Sequence, residues 1–161
     1  MYARDQGELA TPIGWITVTA VGNVLTRISI GERASARGDS QLVQAAINQL
    51  AAWFAGDRHD FALPLAAPAS PRGAALRTGL LAVAYGDTLS YGALARRLGS
   101  SPRAIGQLCA RNPFPIIVPC HRVLTADGAL GHYSAGAGPE TKAWLIAHEG
   151  RVSGNTGKLL I

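Results

Sequence analysis

The residues with the clearest chemical character lie in one stretch, Asn112-Pro-Phe-Pro-Ile-Ile-Val-Pro-Cys-His-Arg-Val123. Pro113, Pro115 and Pro119 forbid a helix and predict an extended path. Ile116, Ile117 and Val118 form an apolar run that should be buried and that leads directly to Cys120, His121 and Arg122. A cysteine delivered rigidly from a buried segment, beside a histidine and an arginine, is predicted to favour its thiolate. The histidine would act as base and the arginine would supply positive potential. The chemistry is therefore nucleophilic attack by sulfur. Cys109, the other cysteine, falls on a predicted helix and reads as structural. Two cysteines are too few for a disulfide scaffold, and His59, His121, His132 and His148 show no metal-ligand spacing, so no metal is expected.

The elements that must position this stretch divide near Pro64–Pro71, an irregular crossing. Before it, Ile13–Ala20 and Val24–Ile30 are β-rich runs joined by a Val21-Gly22-Asn23 hairpin signal. Leu42, Val43, Ala46, Ile47, Leu50 and Phe54 recur at helical spacing over Gln41–Ala55, with Gly56 placed to stop the helix. Phe61, Leu63 and Leu65 alternate as a short strand would. This half reads β-β-α-β.

The second half is mainly helical. Pro71 suits a first helical position, with the helix running to about Tyr85-Gly86. Ser90 caps a short helix, Tyr91–Leu98, closed by Gly99. A further helix, Arg103–Arg111, follows Ser101-Pro102. The pair forms a helix-turn-helix pattern, and Arg103, Gln107 and Arg111 fall on one face of its second helix, as DNA recognition requires. The expected class is mixed α/β (α+β): a small antiparallel sheet with a helix over residues 1–68, packed on a mainly helical domain over 69–150, with 151–161 a loose tail.

The chain of 161 residues is 48% hydrophobic, enough to bury a core and not disordered by composition. No apolar run reaches the length of about 20 residues that a membrane helix needs. The polar start, Met1–Leu9, is unlike a secretory signal, so a reducing, cytoplasmic location is expected. Lys and Arg total 15 against 10 acidic residues, a net charge of +5 that permits a polyanionic partner.

Pro119-Cys-His-Arg-Val123, preceded by Asn112-Pro113, resembles the signature of the methylated-DNA–protein cysteine methyltransferases. The resemblance extends to Thr11-Pro-Ile-Gly14 as an opening strand motif, Trp53-Phe-Ala-Gly56, Tyr85-Gly-Asp-Thr-Leu-Ser-Tyr-Gly92 and Trp144–Gly150. It covers roughly residues 10–150 and implies a DNA repair protein that moves an alkyl group from O-6 of guanine, or O-4 of thymine, onto its own cysteine. By this resemblance Cys120 is the acceptor, His121 its base acting through a water, and Glu149 the carboxylate that orients His121. Asn112 matches a hinge asparagine and Arg103 a finger that fills the space of the flipped nucleotide. Tyr91 matches a tyrosine that aids rotation and donates to the base. Ser134 falls where a loop contacts the guanine oxygen, and the carbonyls of Cys120 and Val123 match acceptors for the exocyclic amine. The thioether product cannot be reversed, which implies one turnover, no cofactor, double-stranded alkylated DNA as partner, a monomer and no dedicated protein partner.

Some positions depart from the family pattern. Arg72 and Arg77 occupy a helix that usually carries an aromatic and a tryptophan. Ala84 replaces a proline, and Ser134-Ala135-Gly136 replaces paired glycines. Two other readings follow: a module that binds lesions without accepting the alkyl group, and a cysteine enzyme using a small-molecule alkyl donor.

Overall fold

The computed structural model describes residues 4–38, 40–154 and 159–160, and the chain forms two compact units, Met1–Ala67 and Pro68–Ile161.

The first unit is an antiparallel sheet of three strands in the order β1 (Arg4–Thr11), β2 (Gly14–Val21), β3 (Val24–Ile30), with helix α1 (Gln41–Phe54). Register runs from Arg4 opposite Val21 to Thr11 opposite Gly14, so Thr11–Gly14 is the turn between β1 and β2 and not an opening strand. Sequence periodicity missed β1 because its polar residues are occupied. Glu8 accepts from Arg33 at 2.8 and 3.0 Å, Gln6 from the backbone of Ser35 and Ala36, and Asp5 from Ser40 N. Gly7 lets α1 approach, since a Cβ there would lie 2.5 Å from Ile47 Cδ1. Ser40 caps α1 by accepting from Val43 N, and the buried stripe is Val43, Ala46, Leu50 and Trp53. Trp53, not Phe54, completes it: Trp53 is fully buried and Phe54 only half-buried. The expected strand at Phe61–Leu65 reduces to a single bridge between Leu65 and Leu25. Pro64 has no N–H to continue a ladder.

The second unit begins with α2 (Pro71–Leu81), capped by Ser70, with Pro71 in its first turn. It ends before the expected Tyr85-Gly86, because the Val83 carbonyl turns aside to accept from Arg122 Nη1 at 2.7 Å. Strand β4 (Thr88–Ser90) leads into α3 (Tyr91–Leu98), where Ser90 accepts from Ala93 N. Gly99, at φ +62°, ends α3 in the left-handed region that glycine tolerates. Ser101 then caps α4 (Pro102–Ala110), which buries Ile105 and leaves Arg103 and Gln107 exposed. Helices α3 and α4 form the helix-turn-helix.

Asn112–Pro119 is a succession of turns, not the expected extended path. The prolines exclude helix as anticipated, but φ near −65° suits turns equally well. Val118 N donates to Phe114 O, and Ile116 sits at φ +74°, a strained position for a β-branched residue. A one-turn 3-10 helix, Cys120–Arg122, and strand β5 (Val123–Leu124) follow, then α5 (Pro139–Ser153). The described residues of the expected tail carry regular structure. Residues 151–153 continue α5, and β6 (Leu159–Leu160) pairs in parallel with β4 on the side opposite β5; 155–158 lie outside the described residues.

A Cβ at Gly79 would lie 2.3–3.0 Å from three carbons of Leu98, so α2 and α3 meet there at close range. Gly79→Val is expected to overpack this contact and cost about 1–3 kcal/mol. The melting temperature should fall by several degrees, at roughly 2–4 °C per kcal/mol. An unchanged melt would show that Leu98 yields freely.

Candidate active site

Cys120 opens the 3-10 turn and is 3% exposed. Its backbone N–H donates to Val118 O at 2.8 Å. Asn112 fixes the approach: Nδ2 donates to Val118 O at 3.0 Å and to Cys120 Sγ at 3.4 Å, while Oδ1 accepts from Phe114 N at 2.9 Å. One side chain thus ties the end of α4 to the sulfur.

Behind Cys120 lies a buried charged cluster. His121 Nε2 donates to Glu149 Oε2 at 2.9 Å, which leaves Nδ1 as the basic nitrogen of a neutral ring. Arg122 grips both oxygens of Glu149, from Nε at 2.9 Å and Nη2 at 2.7 Å. Burial alone would raise the Glu149 carboxyl. The charges and hydrogen bonds of His121 and Arg122 outweigh it and hold the group down at about 2. Burial pushes His121 below its usual range, so it is neutral at neutral pH, as a base must be.

The sulfur departs from the sequence reading. Burial pushes the Cys120 thiol well up, and contact with Cys109 adds to this; the Asn112 donor and the charge of Lys142 pull the other way without prevailing. The resting group is a thiol, not a thiolate. Arg122, expected to supply positive potential, is taken up by Glu149 and the Val83 carbonyl. The cationic neighbours that act on the sulfur are Lys142 and Arg77.

Beside the sulfur is a cavity of about 410 Å³, lined by Cys120 together with Tyr91, Arg103, Cys109, Tyr133 and Ser134. The predicted Tyr91, Arg103 and Ser134 therefore meet Cys120 around one space. Burial pushes the Tyr91 hydroxyl up to about 12, so it remains a donor. Gln107 and Arg111 are exposed and do not line the cavity. The Cys120 carbonyl accepts from Val123 N and the Val123 carbonyl from Lys142 Nζ at 2.6 Å, leaving each one further lone pair.

Residues 74–151 match the family described as 6-O-methylguanine DNA methyltransferase, DNA binding domain. The Mycobacterium leprae methylated-DNA–protein-cysteine methyltransferase is 35% identical over 137 residues, covering 80% of this chain and 83% of that protein. The chain belongs to the methylated-DNA–protein-cysteine methyltransferase family. It is also 39% identical over 146 residues to a Thermus thermophilus protein named a DNA base-flipping protein, covering 88% of this chain and 97% of that one. Among solved structures, Mycobacterium tuberculosis OGT in complex with DNA superposes with a TM-score of 0.78 at 34% identity, covering 90% of this chain and 92% of that one.

This methyltransferase-family site contains groups that the sequence reading passed over. Lys142 is fully buried, and its Nζ donates to the carbonyls of Val123 and Leu130. It thereby clamps the loop after Cys120 onto α5. Its spacing to Leu145 and Glu149, i, i+3 and i+7, already placed it on the buried face of that helix. Tyr133 presents a buried hydroxyl to the same cavity. Arg77, noted as a departure, stacks 5.3 Å over the Phe114 ring.

The charged cluster sets an acid limit. His121 and Glu149 both titrate below their ordinary values of 6.5 and 4.5, so the unfolded chain binds more protons than the folded one in acid. Their stabilisation is complete above 6.5, erodes below it, and is lost most steeply from 4.5 toward about 2. Glu149→Gln is expected to cost about 3–5 kcal/mol at neutral pH by stranding buried partners. Denaturant midpoints across this range should then fall less steeply with acid in the variant than in the parent; parallel curves would remove Glu149 as the source.

Proposed function

We propose that the protein repairs DNA by transferring the alkyl group of O-6-alkylguanine to Cys120 Sγ, once per chain. The observation that carries this reading is the buried Cys120 sulfur opening onto a cavity shared with Arg103, Tyr91 and Ser134. The family supports the reaction, and the two solved or named relatives concerned with DNA support the partner.

The geometry supports the following steps. Neutral His121, held by Glu149, takes the Cys120 proton through a bridging water. The sulfur attacks the alkyl carbon in line, the carbon–oxygen bond breaks, and guanine leaves as an anion. Donors around the cavity offset that charge, Tyr91 from its retained proton and the Ser134 region beside it. The remaining lone pairs of the Cys120 and Val123 carbonyls receive the exocyclic amine. Arg103, exposed at the start of α4 and lining the cavity, fills the stack when the nucleotide turns out. Gln107 and Arg111, exposed on or beside α4, contact the backbone of the duplex. Asn112 holds the sulfur in line. No cofactor takes part, and the thioether ends the reaction.

We further assign the active form as a cytoplasmic monomer. Among the described residues no helix is long and apolar enough to cross a membrane. The cysteine in the cavity favours transfer over lesion binding alone.

Incubation with excess duplex containing O-6-methylguanine should add one methyl group per chain, mapped to Cys120, with no second turnover. Cys120→Ser should bind the duplex and gain nothing, because a hydroxyl is a far poorer nucleophile. Binding without mass gain in the parent would establish the lesion-binding reading, and repeated turnover would establish a different enzyme.

Arg103→Ala should slow repair of duplex by about 10- to 100-fold, matching a loss of a few kcal/mol in extrusion. Transfer from free O-6-benzylguanine should change little, because no base is extruded. Equal losses on both substrates would place Arg103 in the chemistry instead.

A further inference from the structure

The cavity holds a second sulfur that alkyl transfer does not use. Cys109 lies in the last turn of α4 and is half-buried, whereas Cys120 is 3% exposed. Both line the same space of about 410 Å³. The two thiols also act on one another, and the Lys142 ammonium acts on both.

We propose that Cys109 and Cys120 form a reversible disulfide when hydrogen peroxide enters the cavity, which withdraws the acceptor sulfur from alkyl transfer. The functional consequence rests on the transfer reading above; the disulfide itself does not.

Three observations set the order of events. Cys109 is the more accessible sulfur. The neighbouring Cys120 and the Lys142 charge pull its thiol down, while burial pushes Cys120 up. Thiolate character and exposure select the sulfur that is oxidised first. Cys109 thiolate attacks one peroxide oxygen; a sulfur–oxygen bond forms, the oxygen–oxygen bond breaks, and hydroxide leaves to take up the proton Cys109 gave up. Cys120 then attacks the sulfenic sulfur; the sulfur–sulfur bond forms, the sulfur–oxygen bond breaks, and the hydroxyl leaves with the Cys120 proton. Two thiols and one peroxide give one disulfide and two waters. Cys109 sits in the final turn of α4, where the helix gives way to the Asn112 turn, and it lines the same cavity as Cys120. A dithiol restores both sulfurs, and Cys120 is spared irreversible oxidation in the interval.

The test treats the purified full chain with a small excess of hydrogen peroxide, then blocks remaining thiols with N-ethylmaleimide and maps the digest by mass spectrometry. Expected are a linked pair of peptides joining Cys109 to Cys120, and loss of methyl transfer that dithiothreitol reverses. Cys109→Ser, each protein being scored against its own untreated activity, should keep most of its transfer through the same treatment, because the sulfur that meets peroxide first is gone and Cys120 is 3% exposed. Absence of the linked peptides, or an equal loss of transfer in the variant, would overturn the proposal. A chain that links its cysteines yet transfers no methyl group would retain the disulfide and reject the transfer reading alone.

Discussion

A buried carboxylate must be compensated, and the second unit is arranged around compensating Glu149. Its side chain is 2% exposed and carries charge at neutral pH. Taking such a group out of water costs several kcal/mol unless partners surround it. The partners come from Arg122 and His121 on the turn that bears Cys120, while the Arg122 guanidinium reaches on to Val83 beyond the end of α2. One charge on α5 therefore fixes the turn that carries the sulfur and the point at which α2 must stop. The same contacts determine the tautomer of His121, so the demand for compensation also sets which ring nitrogen is left able to accept a proton.

Two further constraints locate the sulfur relative to the helix-turn-helix. Asn112, at the exit of α4, makes three hydrogen bonds to the segment that follows it, one of them to the Cys120 sulfur. Lys142 secures the loop on the other side through the carbonyls of Val123 and Leu130. Neither is a surface ion pair, which would be worth little. Both are buried or part-buried donors to groups that would otherwise be stranded, and stranded groups are the expensive ones. The strained Ile116 is tolerated inside this frame, where its neighbours are completely packed.

The sequence revealed the helices and the chemistry more readily than the sheet and the electrostatics. The apolar periodicity over Gln41–Ala55, the Ser90 cap, the Ser101-Pro102 start and the left-handed Gly99 are local signals, and they placed α1, α3 and α4 within a residue or two. β1 was hidden because an edge strand whose polar side chains bond a distant segment shows no alternation. Leu63 and Leu65 imitated a strand that Pro64 forbids. The end of α2 depends on Arg122, 41 positions after Leu81, so nothing local announced it. Cys120 was identifiable from Pro119, His121 and Arg122, but its protonation was not. Neighbouring sequence suggests positive potential, whereas burial, which only the fold decides, governs the thiol. Cys109 looked structural for the same reason, since its contact with Cys120 is made across a turn.

The neutral state of Cys120 has a consequence for how the molecule survives between encounters. A sulfur that reacts once is lost to any stray electrophile that reaches it first. Reactivity toward soluble electrophiles follows the thiolate fraction, which drops about tenfold for each unit by which a thiol is raised above the surrounding pH. A thiol that is 3% exposed and pushed well up by burial is dormant in that sense. Its selectivity then does not depend on recognising the alkyl group, which is small and featureless. In the proposed reaction it depends on which visitor brings a leaving group into line with the sulfur while a neighbouring group takes its proton. Discrimination of this kind resides in timing, with nucleophilicity released only once a base has been seated.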